Sequence, residues 1–322
     1  MDHDVLVVGG GAAGLSAALV LTRARRRVLV VDAGNPRNAP AAHLHGYLSR
    51  DGAAPAELLS AGRAEVAGYG GEIRTGTVTA VTRTGDGFHA VLAGGSAVTA
   101  RRLVLAGGVR DELPDIPGLA ERWGRDVLHC PYCHGYEVAD RPIGVLGGPM
   151  TTHRAQLLRQ WSADVVLFPH TAEVSAEDRA MLDAIGVRVV DGRVTGVTVE
   201  DDHLTAVRLA DGTEHPRAAL FAGSRMQVDR TLPDALGLAL REGPTGTWID
   251  TDETGRASVP GVWAVGNAAD PPGQLITAAA AGARAGAMVN ADLIEQDAAT
   301  AVRARQSTSD DRTRTSAAVL PA

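Results

Sequence analysis

The chain has 322 residues, 45% of them hydrophobic, which is enough to bury one or two full cores. Its formal net charge is -7, and all 31 basic residues are arginines scattered without a basic stripe, which argues against nucleic acid as the main partner. Met1 leads straight into an apolar strand pattern without a charged leader, and no apolar run reaches the roughly 18 residues of a membrane span; a cytoplasmic protein with no membrane partner is expected.

Val5-Leu6-Val7-Val8 is a short β-branched and apolar run, followed by Gly9-Gly10-Gly11-Ala12-Ala13-Gly14 and a small-residue apolar stretch from Leu15 to Leu21. Strand, glycine turn and helix follow in that order. A second apolar run, Val28 to Val31, ends on Asp32 and completes a βαβ unit. The glycines Gly9, Gly11 and Gly14 permit a tight turn and close approach of a pyrophosphate to the helix N-terminus, and Asp32 stands where an acid accepts ribose hydroxyl hydrogens.

Further along, Thr77 to Val81 and Phe88 to Leu92 flank Thr84-Gly85-Asp86-Gly87 and read as a hairpin. Arg102 to Ala106 reads as a returning strand that ends at Gly107-Gly108. The only two cysteines lie in His129-Cys130-Pro131-Tyr132-Cys133-His134-Gly135-Tyr136-Glu137. In a reducing compartment a C-x-x-C pair is redox-active or metal-binding sooner than a structural staple. Two thiols at this spacing close a small disulfide whose potential is tuned by neighbours that favour the thiolate. Zinc would need His129 and His134 as further ligands, but adjacent Cys and His diverge and no second C-x-x-C completes a tetrahedron, so no metal is expected.

A new βαβ-like pattern starts at Ile143-Gly144-Val145-Leu146-Gly147-Gly148, with a helix pattern from His153 to Trp161, a strand from Asp164 to Phe168 and a hairpin-like region from Val187 to Leu209. After Thr247 the chain returns to the first module: Gly261 to Asn267 is a strand with a glycine end, and Gln274 to Leu293 an alanine-rich helix. The expected fold is therefore α/β, two Rossmann-like dinucleotide-binding domains with the second inserted in the first. Expected boundaries are 1–112 and 246–295 for the first domain and 113–245 for the second, which carries the C-x-x-C. The polar, unpatterned residues 296–322 are expected to be a disordered tail.

From residue 1 to about 295 the chain resembles the low-molecular-weight thioredoxin reductase family. The matching features are Gly9 to Leu15, Ala106-Gly107-Gly108, the C-x-x-C just before the second glycine loop, and Val259 to Asn267. The resemblance implies FAD as cofactor. It implies FAD contacts from Gly9, Gly11, Ala12, Ala13, Gly14, Asp32, Ala33, Arg37, Asn38, Val78, Ala106 and Gly107. The late segment adds Gly266, Asn267, Gln274 and Leu275. The family usually carries Asp where this chain has Asn267, whose amide can still hydrogen-bond the ribityl chain. Gln274 and Leu275 open the last helix, whose positive end would stabilise negative charge on the reduced ring. The resemblance also implies a homodimer, with Cys133 as the flavin-proximal sulfur and Cys130 as the exchanging one. His134 replaces the family's usual Asp; with an ordinary pKa near 6.5 it could take and return thiol protons, or simply pack or cap a helix.

One departure matters for function. Pro149 stands at the middle glycine position of Gly147-Gly148-Pro149-Met150, where it removes a backbone N–H that a phosphate would use. After the next strand, Pro169 to Val174 holds no arginine cluster for a 2′-phosphate. An intact NADPH clamp is not expected, while NADH or a distorted binding mode stays open. The C-x-x-C segment, Pro36-Arg37-Asn38-Ala39 and His43-Leu44-His45-Gly46-Tyr47 are also similar to the flavin-dependent dithiol oxidases of holomycin and gliotoxin type. His43 and His45 line a substrate entrance or are ordinary loop residues. The expected activity is oxidation of a small-molecule dithiol with O2 as acceptor, giving H2O2. The alternatives are an NAD(P)H-dependent thioredoxin or disulfide reductase and a non-catalytic flavin redox sensor.

Overall fold

The structure is a computed structural model describing residues 1–317. The first βαβ unit forms as its sequence dictates. Strand β1 (His3–Val8) and strand β2 (Val28–Asp32) are nearly continuous apolar runs, and they flank helix α1 (Ala12–Arg23). Both strands are buried on both faces, as parallel strands under helices must be. Helix α2 (Pro55–Gly68) and strand β3 (Glu72–Thr75) follow, then the antiparallel pair β4 (Val78–Arg83) and β5 (Phe88–Leu92). Strand β6 (Ala97–Leu105) returns parallel to β1. A short strand β7 (Arg110–Glu112) leads out of the module.

The second module contains helix α3 (Leu119–Arg122), strand β8 (Val127–Leu128), the one-turn helix α4 (Pro131–His134), strand β9 (Ile143–Leu146) and helix α5 (Thr151–Leu158). Strand β10 (Val165–Phe168), helix α6 (Ala176–Ala184) and strand β11 (Val187–Val189) come next. A three-stranded antiparallel flap, β12 (Val194–Glu200), β13 (His203–Leu209) and β14 (Glu214–Pro216), precedes strand β15 (Ala219–Phe221). The sheet order β11-β10-β9-β15-β8 is parallel throughout. The expected hairpin over 187–209 is only half right, because β11 joins the parallel sheet and β12 with β13 makes the hairpin.

The chain re-enters the first module through strand β16 (Arg225–Gln227), helix α7 (Thr231–Leu236), strands β17 (Leu240–Gly243), β18 (Gly246–Ile249) and β19 (Val262–Ala264), and helix α8 (Leu275–Ala317). Outgoing β7 and returning β16 pair antiparallel, Arg225 opposite Glu112 and Gln227 opposite Arg110. Met226, Val228, Leu232 and Leu238 belong to the same buried cluster as Leu6, Leu29, Phe88 and Leu103 of the first sheet. The return thus begins near residue 225, not at 246; β16 is too short to show a period, so only its packing reveals it.

Strand β6 is shared along its length. Residues near Ala97–Ala100 pair with β5, and Leu103–Leu105 pair with β19. Helix α8 lies against α1, where a Cβ at Gly282 would overlap the Ala13 carbonyl. Residues 296–317 continue this helix, which corrects the expected disordered tail; residues 318–322 of that tail lie outside the described residues. No glycine or proline occurs between Gly286 and residue 317, so extending an existing helix needs no new nucleus. Arg101 holds Gln296 and Asp297, and Arg26 also bonds Asp297. Among the described residues, no helix is long and apolar enough to cross a membrane.

Candidate redox and cofactor site

The turn from β1 to α1 opens a cavity of about 720 Å³ that runs from the glycine loop to the cysteine pair. Gly9 has φ +107°, and a Cβ there would overlap the Ala106 carbonyl. A Cβ on Gly11 would meet nothing within 4 Å, so this glycine leaves free space at the unoccluded N-terminus of α1. Gly14 is different: it does not line the cavity, and a Cβ there would overlap the Gly9 carbonyl. It is a packing glycine, which corrects its expected role as a cofactor contact.

Gly9, Gly11, Ala12, Ala13, Asp32, Ala33, Arg37, Asn38, Val78, Ala106, Gly107, Gly266, Asn267, Gln274 and Leu275 all line this cavity, together with Cys130, Cys133 and His134. Three of these side chains, Arg37, Asn267 and Asp32, also have partners within the chain. Arg37 donates Nε and Nη2 to the two oxygens of Asp111 at 2.7 and 2.6 Å, and Ser224 donates its hydroxyl to the same carboxylate at 2.5 Å. The Asn267 amide nitrogen lies 3.0, 3.0 and 2.8 Å from the carbonyls of Asp270, Pro271 and Gly273, so it shapes the turn before α8 and leaves only its oxygen for a ligand. Asp32 accepts from the Gly10 N–H at 3.1 Å and from Arg63 at 2.6 Å. Arg63, on α2, was invisible to motif reading because its meeting with Asp32 is tertiary.

Strand β8 ends just before the cysteines, and Cys130 caps the N-terminus of α4 with Pro131 in the first turn. Cys130 and Cys133 form a disulfide with their Cα atoms 5.3 Å apart, and the Cys133 N–H donates to Cys130 Sγ at 3.2 Å. Burial pushes the His134 imidazole below its ordinary pKa; Glu137 opposes this and His45 reinforces it. His45 holds Asp51 Oδ2 at 3.3 Å through Nδ1 and Glu137 Oε1 at 3.2 Å through Nε2, so the 43–52 loop is clasped to the cysteine segment. His43 meets the Gly52 carbonyl at 3.0 Å through Nδ1.

His129 also lines the cavity, and its Nδ1 is buried without a hydrogen-bond partner. Burial, with the charges of Arg37 and Arg154 beside it, pushes its pKa down to about 4 against the opposing pull of Asp111. In the second module Thr151 makes a local turn with Gly148 at the start of α5. The Gly148 N–H donates to Thr151 Oγ1 at 2.6 Å, and that hydroxyl lies 2.5 Å from the Gly148 carbonyl. Gly223 lies next to the loop, where a Cβ would meet the Arg154 guanidinium at 3.5 Å and Pro149 Cδ at 3.9 Å. His170, at the end of β10, accepts the Val194 N–H with Nδ1.

Residues 3–283 match the model of the pyridine nucleotide-disulphide oxidoreductases. The chain belongs to this family. Thioredoxin reductase tcpT of Claviceps purpurea is 34% identical over 82% of this chain and 86% of that protein. Thioredoxin reductase sirT of Leptosphaeria maculans is 31% identical over 92% of this chain and 96% of its own. Among solved structures, HlmI is 53% identical with a TM-score of 0.90, covering 95% of this chain and 97% of that one. An oxidoreductase from Agrobacterium tumefaciens is 40% identical with a TM-score of 0.87, covering 91% and 99%.

This oxidoreductase family binds FAD, and the residues present fit it. Gly11 leaves room for a pyrophosphate at a helix N-terminus, Asp32 offers a carboxylate at the end of β2, and the cavity continues to the disulfide and to the start of α8. The chain is an enzyme of thioredoxin reductase-like fold, and its chemistry is disulfide and dithiol redox exchange.

Proposed function

We propose that the protein oxidises a small-molecule dithiol to a disulfide, with O2 as the final acceptor and H2O2 as by-product. The observation that carries this reading is an asymmetry between the two dinucleotide loops. The first shares its cavity with Cys130 and Cys133, whereas the second carries Pro149, which offers no backbone N–H to a phosphate, and is followed by no arginine cluster.

A substrate thiolate attacks Cys130 Sγ, the Cys130–Cys133 bond breaks, and Cys133 leaves as thiolate. The second substrate thiol then attacks the mixed disulfide, releasing the cyclic disulfide and leaving Cys130 reduced. His134, kept neutral at pH 7 by burial, accepts the substrate proton and later returns it. FAD, if bound, would supply the two-electron carrier between the reduced pair and O2. We assign its binding to the glycine loop, Asp32 and the 266–275 segment, with Cys133 on its side of the pair. A homodimer acting in the cytoplasm is part of the same reading.

The second reading is an NAD(P)H-dependent reductase, favoured by the names of the relatives in Claviceps and Leptosphaeria. Anaerobic mixing separates the two. Loss of the visible flavin absorbance with a dithiol but not with NADPH supports the oxidase. Loss with NADPH supports the reductase, and loss with neither supports a redox sensor.

A further inference from the structure

The loop over 43–53 gives His43, Leu44 and His45 to the lining of the cavity that also holds Cys130, Cys133 and His134. It is braced from within. The Leu44 N–H donates to the Ala53 carbonyl and the Gly52 N–H to the Leu44 carbonyl, both at 2.9 Å, and the Gly46 N–H donates to Asp51 Oδ1 at 2.8 Å. A Cβ on Gly46 would stand 3.8 Å from Gln274 Oε1, just before α8. The loop therefore reaches from the start of α8 to the cysteine segment, where Glu137 holds it through His45.

That hold depends on how many protons the His45 ring carries. Its Nδ1 lies 3.3 Å from Asp51 Oδ2 and its Nε2 3.2 Å from Glu137 Oε1. The Gly46 N–H and His45 keep Asp51 below its ordinary pKa, so this carboxylate is ionised and only accepts. With ionised carboxylates on both sides, both contacts are hydrogen bonds only when both ring nitrogens are protonated. A neutral ring has one N–H and sets a lone pair against one of the two carboxylates. The other titratable groups facing His45 are His43, with ring centroids 6.4 Å apart, and His134, which feels its charge. Among the described residues no arginine pairs with Asp51 or Glu137, so one imidazole holds both.

We propose that His45 is a proton-operated latch. As the imidazolium it locks the loop beside the Cys130–Cys133 disulfide, and as the neutral ring it releases the loop and opens access to the sulfurs. His45 is thus a positioning residue, acting through the loop and Glu137. The inference uses the family's thiol–disulfide exchange and not O2 as acceptor, so it stands or falls apart from the oxidase reading.

Hydrogen–deuterium exchange of the 43–53 peptide in the flavin-loaded enzyme tests the latch. Variant and wild type are compared at the same pH, so the intrinsic pH dependence of exchange cancels. His45→Gln is expected to raise uptake about threefold at about pH 6, the scale of a part-exposed ion pair, and to change nothing at about pH 8.5. Glu137→Gln offers an acceptor to the protonated ring and a donor to the neutral one, so its loop should exchange alike at both pH values. Anaerobic flavin bleaching by dithiothreitol should be faster in His45→Gln than in wild type at about pH 6. Losing the His45 charge beside His134 acts the other way, because it favours protonation of His134, so the acceleration reports access. Equal uptake in wild type and His45→Gln at about pH 6, or an increase of the same size at both pH values, would overturn the latch. Slower bleaching in that variant would overturn its control of access to the disulfide.

Discussion

Arg37 and Asp111 form a two-pronged ion pair that ties a loop of the first module to the strand leaving it, and the Asp111 side chain is only 8% exposed. Ser224, just before the returning strand β16, bonds the same carboxylate. One carboxylate, that of Asp111, thereby joins both connections between the modules. Burial raises the Asp111 pKa, but the bonds and charge of Arg37, with Ser224, outweigh this and hold it below the ordinary value. Such a group stabilises the fold above its unfolded pKa, near 4, and the contribution disappears as pH falls through its lowered folded value. Asp111→Asn is expected to cost about 1–3 kcal/mol at pH 7, since it leaves Arg37 half-buried without its charge partner. The deficit relative to wild type should begin to shrink below about pH 4, the unfolded value, and disappear only as pH falls through the lowered folded value. Thermal denaturation at both pH values checks this.

Gly11 and Gly14 should fail in different ways. Gly11→Val is expected to fold with little change in Tm and to bind little FAD, because its side chain enters open cavity. Gly14→Ala should destabilise the apoprotein itself, by about 1–3 kcal/mol as for other overpacked sites, because its methyl overlaps the Gly9 carbonyl. Circular dichroism and flavin content together separate the two outcomes. A fully flavin-loaded Gly11→Val protein would remove this loop from the cofactor site.

The cysteines should also differ. Cys133→Ser leaves Cys130 free to attack an added disulfide and is expected to accumulate a mixed disulfide visible by mass spectrometry. Cys130→Ser should form that adduct far more slowly, and both should keep FAD. Rapid O2-dependent dithiol oxidation by the double variant would show that electrons bypass the pair.

For His134 the pH profile is diagnostic. Its lowered pKa means that the base form dominates at pH 7, so wild-type kcat/KM should stay level there and fall only as pH drops below about 6.5. His134→Ala should slow dithiol oxidation roughly a hundredfold to ten-thousandfold, with the defect narrowing at high pH where substrate thiols ionise unaided. A uniform defect at every pH would reduce His134 to a packing role.

His129 gives a separate stability signature. Its pKa of about 4 lies below the unfolded value, so its contribution is intact above pH 6.5 and lost as pH falls toward 4. His129→Phe should flatten that limb of the stability curve, measured by denaturant unfolding.

What the sequence made legible was local. The β1–α1 glycine loop, the C-x-x-C and the late Gly266-Asn267 segment are each written in a few consecutive residues, and they meet in one cavity. What stayed hidden depends on side chains far apart in the chain. Arg63 reaching Asp32 and Arg37 reaching Asp111 leave no periodic trace. Strand β16 is three residues long and carries no pattern, and over 296–317 a polar composition masks the absence of helix breakers. The burial of His129 beside Arg37 and Arg154 cannot be read from its neighbours in sequence.

The division of β6 between β5 and β19 has a consequence for biosynthesis. Leu103 to Leu105 wait for Val262 to Ala264, which leave the ribosome more than a hundred residues later. The parallel sheet from β8 to β15 needs nothing beyond residue 221, so it can close while the module on either side of it in sequence is still missing β19 and the α8 cover. The cysteine-bearing half is thus ready first, and the nascent flavin cradle is completed around a finished neighbour.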